Sequence, residues 1–360
     1  MAGTALRHNF IKASGGIIRG TLQAFTNVVS KMKFGLFIST QFNADQDLGA
    51  AMQFMAEEAR IAADCGFESI WCPHHYVTDP MRMFQPHETL ARLSAEVPHL
   101  RIGTGILLLS MMNPVQVAEQ AATLDWMTDG GYVLAAGLGY RPEEFQSMGV
   151  EQKHRLSRFI EAVEVIRRLW TEERVTHHGQ HFHLDEIGLS ARPRNPEGCP
   201  IWIGGAVPPA VERAATLGDA WLASFTTEPD AMRVLFDIYK KALPDGKNPE
   251  MPMCRECFLG ASETDALDKC AETLIGKYAA YASWDNKHVA DERPFAERFD
   301  AYRRDRFLIG DASQLTDEVA RYRDELGVTT LILRMNWPGT HFADSLSSIQ
   351  RFEAVIKHYT

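Results

Sequence analysis

From Met32 onward the chain alternates short apolar runs with stretches of helical periodicity, and it does so eight times. Apolar runs of four to eight residues suit strands buried on both faces. Apolar residues at i, i+3 and i+4 suit helices packed on one face. The runs Phe34–Ile38, Phe67–Cys72, Arg101–Leu109, Tyr132–Ala136, Ile201–Ile203, Trp221–Ala223, Met253–Gly260 and Val328–Arg334 predict strands. Met52, Met55, Ala59 and Ala62 mark a helix that stops at Cys65-Gly66. Pro114 opens another through Val117, Ala121 and Leu124, and Leu156 to Trp170 form a third. Eight such units predict an α/β fold, a (β/α)8 TIM barrel with insertions at the C-terminal face of its strands. A doubly wound sheet is the rival, but Ser39-Thr40-Gln41 follows the first strand where that fold carries Gly-x-Gly-x-x-Gly.

Two connections are longer than a plain barrel needs. Residues 171–200 contain a histidine-rich segment, His177 to His183, predicted as a hairpin turning at Gly179. Residues 263–306 are highly charged and follow the seventh strand. An insertion there covers the strand C-terminal ends, where barrel active sites sit, or forms a solvated helical pair away from them.

Composition narrows the partners. The 360 residues hold 37 Lys plus Arg against 47 Asp plus Glu, a net charge of −10. That balance argues against nucleic acid and anionic membranes as partners. No run approaches the roughly 18 apolar residues of a membrane span. Six scattered cysteines do not make a disulfide framework, so a reduced, cytoplasmic protein is expected. Residues 1–31 stand apart: Met1 to Lys33 carry Arg7, Lys12, Arg19, Lys31 and Lys33 but no Asp or Glu. They read as an N-terminal extension, disordered or from an early start, with a packed arm or a transit peptide as alternatives. Residues 32–360 read as one barrel domain.

Three loops carry candidate chemistry. Cys72-Pro-His74-His75-Tyr76 follows the second strand, where an imidazole can donate a hydrogen bond or exchange a proton. Neighbouring residues on extended chain point apart, so one histidine at most faces the centre; both equally suit packing in a turn. Gly137-Leu-Gly139-Tyr140-Arg141 follows the fourth strand; its glycines permit close approach of a planar or phosphorylated ligand, or serve the turn alone. Gly204-Gly205-Ala206 follows the fifth strand and leads into a helix whose N–H groups favour a phosphate, or forms a tight strand–helix turn. No metal site is expected: His-Glu-x-x-His is absent, and Cys254 and Cys257 stand alone within a strand.

With these motifs in order, the chain resembles the bacterial luciferase-like flavin-dependent monooxygenase family. The resemblance runs from about Met32 to Tyr359. It is carried by Met32-Lys-Phe-Gly35, Gly66 through His75, Arg101-Ile-Gly-Thr-Gly105, Asn113-Pro-Val115, Gly137 through Phe145, Pro200-Ile-Trp-Ile-Gly-Gly205, Leu217-Gly-Asp219 and Leu333 through Gly339. It implies a barrel that binds FMN, as FMNH2, at its C-terminal mouth, with F420 less favoured. A C4a-peroxyflavin then oxygenates a small organic substrate with O2. The resemblance implies a separate NAD(P)H-dependent flavin reductase and a homodimer or higher homo-oligomer. It places the catalytic histidine on His74 and a non-prolyl cis peptide at Gly105–Ile106. Gly105, Ile106, Gly137, Gly139, Tyr140, Gly204, Gly205 and Ala206 become the expected cofactor contacts. The chain departs from luciferase itself at Gly137, Leu138 and Ala206-Val207, where that enzyme has a cysteine, an arginine and a Glu-Ser pair.

Two other functions compete. An F420-dependent hydride-transfer enzyme is one, although Asp79 and Tyr140 occupy the positions of a tryptophan and a glutamate in the sugar-phosphate branch. The other is a non-catalytic flavin-binding protein. Binding of FMN, FMNH2 and F420 separates the three.

Overall fold

The computed structural model describes residues 31–225, 227, 229–283 and 295–359. The expectation for the N-terminal extension therefore lies, except for Lys31, outside the described residues. So does residue stretch 284–294 of the predicted insertion.

Eight parallel strands form the centre: β1 (Lys33–Phe37), β2 (Ser69–Cys72), β3 (Arg101–Thr104), β4 (Tyr132–Ala136), β5 (Ile201–Gly204), β6 (Ala220–Leu222), β7 (Pro252–Leu259) and β8 (Thr330–Arg334). Each pairs with its successor from β1 to β6, and β8 pairs with both β7 and β1. The seam between β6 and β7 is a single parallel bridge, Ala223 to Met253, made by two backbone hydrogen bonds of 3.0 and 3.1 Å. It closes the ring, but more weakly than any other pairing.

Side chains fill the barrel's interior. Trp71 stacks on Trp202 with ring centroids 4.8 Å apart. Gly35 and Gly103 make room for it, since a Cβ at Gly103 would lie 2.3 Å from the Trp71 ring. The strands bury both faces because helices pack outside. Leu48–Asp64, for example, turns Met55, Ala59 and Ala62 inward as predicted, with Ala51 buried in the first turn and Met52 only half-buried. Asn113 caps the helix Pro114–Met127 by accepting from Val115 N.

The structure departs from the expected elements in three places. The apolar run after β3 leaves the sheet at Thr104, and Leu109–Met111 turn as a short 3-10 helix. The cis Gly105–Ile106 peptide lies between them, where the resemblance put it. Gln41–Phe42 and Arg82–Met83 form a small antiparallel pair that no periodicity signalled. Leu308–Gly310 adds a parallel strand against the C-terminal end of β7. The predicted hairpin is present as Val175–His178 paired with His183–Ile187. The charged insertion supplies two helices, Glu263–Ser283 and Phe295–Arg306.

Candidate functional site

The C-terminal ends of the strands bring the predicted loops together. Ile106 is their centre. Its Cδ1 lies 2.1 Å from where a Cβ at Gly137 would stand and 3.0 Å from one at Gly204. These two glycines therefore admit the Ile106 side chain, so the ends of β3, β4 and β5 lock together through it. Gly105 lies against Phe37 of β1, whose Cε2 would be 2.6 Å from a Cβ there. Gly139, at φ +74°, lies against Met111 and Phe145.

His74 is 3% exposed and its Nδ1 accepts from Leu108 N at 3.1 Å. The loop carrying Gly105 and Ile106 is thus pinned by the histidine. An Nδ1 that accepts leaves the proton of the neutral ring on Nε2. Burial, reinforced by His75 and His87, lowers its pKa from 6.5 to about 3, against a hydrogen bond with Gln85 that raises it. The ring is a neutral donor at physiological pH.

His75 points elsewhere, as alternation along the chain requires. Its Nδ1 lies 2.9 Å from Glu144 Oε1, which also accepts from Tyr76 N. Arg141 donates to the carbonyls of Tyr76 and Val77 and lies 3.6 Å from Glu144. The loops after β2 and β4 are tied by this set. The Tyr140 ring meets His75 edge-on at 6.0 Å, and its carbonyl accepts from Gln152.

The turn after β5 is poorer in donors than its sequence suggested. Pro208 and Pro209 have no N–H, and Ala210 N and Val211 N already donate to Val207 O. Among the described hydrogen bonds, the N–H groups of Ala206 and Val207 have no protein partner. Gly205 packs against Ala210, whose Cβ would be 2.6 Å from a Cβ at 205.

The side of the mouth formed by β1, β7 and β8 was not anticipated residue by residue. Arg334 at the end of β8 donates to Ser39 Oγ at 2.9 Å and Gln41 Oε1 at 2.8 Å. Tyr281 and Lys277, one turn apart on the helix Glu263–Ser283, reach the same place, Lys277 donating to Glu256 of β7. Charge in residues 263–306 signalled a cover, but only the fold pairs Tyr281 with Gln41.

The residues fit a planar heteroaromatic cofactor with a phosphate. Thr40 Oγ1 is buried at the end of β1 without a partner, the Ala206 and Val207 N–H groups are unpaired, and Phe37 lines the loop after β3. A cleft lined by Pro98, Arg101, Thr128 and Gly131 lies at the N-terminal ends of β3 and β4, the face where barrels do not carry chemistry. Among the described residues, no helix is long and apolar enough to cross a membrane, and no cluster of three His, Cys, Asp or Glu stands ready for a metal.

Comparison with known proteins sharpens this. The chain is similar to 4-hydroxyprotoasukamycin monooxygenase of Streptomyces nodosus subsp. asukaensis, with 29% identity over 56% of this chain and 54% of that protein. It is similar to F420-dependent glucose-6-phosphate dehydrogenase of Kineococcus radiotolerans, with 30% identity over 61% of this chain and 63% of that one. The chain thus spans little more than half the length of these curated relatives. Its fold matches monooxygenase RslO1 from Streptomyces bottropensis with a TM-score of 0.79 and 22% identity, covering 91% of this chain and 100% of that one.

These findings correct the expected cofactor order. Ranking F420 behind FMN does not stand, because three further relatives are likewise F420-dependent enzymes. The physical reason lies at the mouth: the loops around Ile106 offer apolar and backbone surface, which does not distinguish one isoalloxazine-like ring from another. The family model described as luciferase-like monooxygenase matches residues 32–330, which include all eight strands except the last four residues of β8. The chain belongs to the luciferase-like monooxygenase family.

Proposed function

We propose that the C-terminal mouth binds an isoalloxazine-type cofactor and serves the oxygenation of a small organic substrate. The observation that carries this reading is the convergence of the Gly105–Leu108 loop, His74 and the Ala206–Val207 turn at one end of the barrel. Gly105 and Ile106 form the ring bed with Phe37 beside it. Ala206 and Val207 donate their N–H groups to the phosphate, close to the helix that opens at Pro208. Gly137, Gly139, Gly204 and Gly205 act through packing that shapes the bed, and Tyr140 borders it.

A bound reduced flavin supplies the electrons that activate O2. The chain's own part is to bind, orient and exclude water. His74, neutral and fixed through Nδ1, turns its Nε2–H from Gln85 toward developing negative charge. His75, Arg141 and Glu144 hold the loops after β2 and β4 in register. The helix Glu263–Ser283 covers the β7–β8 side. A separate NAD(P)H-dependent reductase and self-association belong to the same proposal.

The F420-dependent relatives favour a second reading, hydride transfer from substrate to oxidised F420 at the same mouth. Fluorescence titration with FMN, reduced FMN and F420, followed by oxygen-uptake assays, separates the two. Oxygen uptake coupled to substrate supports oxygenation. Binding of F420 alone, with anaerobic substrate oxidation, replaces it with hydride transfer.

A further inference from the structure

The β7–β8 side of the mouth holds a buried cation with no carboxylate among its hydrogen-bond partners and a buried donor with no partner. Arg334 is 2% exposed, yet its partners are Ser39 Oγ, Gln41 Oε1, the Tyr281 hydroxyl and the Asn336 carbonyl, none of them a carboxylate. Buried charges are ordinarily paired. Gln41 is 1% exposed, and its Oε1 takes two donors, Arg334 at 2.8 Å and the Tyr281 hydroxyl at 3.1 Å. That fixes the amide's orientation and leaves Nε2 buried without a partner. An unmade buried hydrogen bond costs about 1–3 kcal/mol. One ligand feature answers both deficits: an oxygen that bears negative charge.

Tyr281 is placed to create that charge. Its hydroxyl accepts from Arg334 at 3.0 Å and stands one helical turn from Lys277, which is bound to Glu256. Apolar rings flank the group: Arg334 lies 5.5 Å over Phe37, Lys277 lies 5.7 Å over Phe225, and the two rings meet edge-on at 4.9 Å.

We propose that Tyr281 is a catalytic acid–base residue that takes the proton of an aromatic or enolic hydroxyl on the substrate, while Gln41 Nε2 donates to the oxyanion formed. This rests on the oxygenation reading above and names its substrate class. In the step, the substrate O–H bond breaks and its electron pair stays on the substrate oxygen. The proton forms an O–H bond on the Tyr281 phenolate, which gives the hydroxyl that donates to Gln41 Oε1, and Arg334, until then balanced by the phenolate, faces the new anion. No electrons change hands. Deprotonation enriches the ring or enol carbon in electron density, which speeds attack on an electrophilic oxygen. Among the described residues, the titratable and charged groups facing Tyr281 are Arg334 from β8, Lys277 and Tyr278 from its own helix and Glu256 from β7. Burial raises the phenol's pKa, but the Arg334 and Lys277 charges and the Arg334 hydrogen bond outweigh it and bring it below its usual value.

The test is a near-ultraviolet phenolate titration of the full chain without cofactor, comparing wild type with Tyr281→Phe and Arg334→Gln. The wild type is expected to show one phenol ionising below the ordinary value of about 10. That step disappears in Tyr281→Phe and moves upward in Arg334→Gln. Identical curves for wild type and Tyr281→Phe overturn the proposal. As a binding probe, 4-nitrophenol reports its own ionisation by absorbance. It is expected to bind as the anion and to lose about 10-fold or more in affinity in Gln41→Leu; unchanged affinity overturns the donor assignment. Failure of FMN, reduced FMN and F420 to bind, with the low phenol step intact, strikes the oxygenation reading alone. Intact cofactor binding without that step strikes the Tyr281 assignment alone.

Discussion

On one side of the mouth, His75, Arg141 and Glu144 bind one another across the loops after β2 and β4, and His74 is held neutral against Leu108. On the other, Arg334 and Gln41 are buried among neutral partners, and a lysine and a tyrosine arrive from an insertion. The first side is a frame that fixes the Gly105–Leu108 loop, proposed above as the ring bed. The second concentrates unmet polar demand where a substrate oxygen can meet it. A barrel can thus divide positioning and recognition between opposite arcs of one rim.

The largest effect expected from breaking this comparison is at His74. His74→Ala removes both the brace on Leu108 and the Nε2–H donor, and should lower turnover about 100-fold or more while changing reduced-cofactor affinity far less. His75→Ala should act mainly through loop order. Rapid mixing of the reduced, cofactor-loaded enzyme with oxygen, beside equilibrium binding, distinguishes them. A selective rate loss in His75→Ala would move the donor role to the neighbouring residue.

Next comes Glu58, buried, bonded to Ser345 and within the field of Arg334. Burial raises its carboxyl from 4.5 to about 8, against the lowering pull of the Ser345 hydrogen bond and Arg334. The folded chain therefore holds a proton that the unfolded chain has released, and stability is lost as pH rises from 4.5 through 8. His74 has the opposite sign: its folded value of about 3 makes stability fall as pH drops from 6.5 toward 3. Glu58→Gln should gain about 2 kcal/mol at pH 8 and little at pH 5, read by urea unfolding. An equal gain at both values would show that the carboxyl is not protonated in the fold.

A smaller effect is expected at the phosphate turn. Ala206→Asp places a like charge there without the clash that any side chain at Gly205 would make with Ala210. It should weaken a phosphate-bearing cofactor about 10-fold and riboflavin less. Equal losses for both would remove the phosphate from this turn. Smallest of all, deletion of residues 1–31 should leave cofactor affinity unchanged, and a clear loss would give that segment a role in the mouth.

Much of the first side was legible in the sequence. Strand periodicity located the C-terminal loops, local motifs put His74 and Gly205 in them, and the family resemblance added Ile106. Their packing reasons were not legible: Gly137 and Gly204 admit Ile106, a contact between residues distant in sequence. Nor was it legible that Arg141 donates to the Tyr76 and Val77 carbonyls, 65 and 64 residues away. The second side was hidden for the same reason in stronger form. Tyr281 and Gln41 are separated by 240 residues, and no periodicity or spacing encodes their meeting. The β3 run read as a longer strand because apolar sequence cannot report where a chain leaves a sheet.

The central claim is that one cofactor site, at the mouth, serves this chain. Competition between reduced FMN and F420 tests it most directly, with fluorescence titration of each in the presence of the other, in wild type and Ala206→Asp. Saturable binding of at least one is expected, with displacement by the other wherever both bind and weaker binding in the variant. Absence of binding by both, or simultaneous binding without displacement, would contradict it.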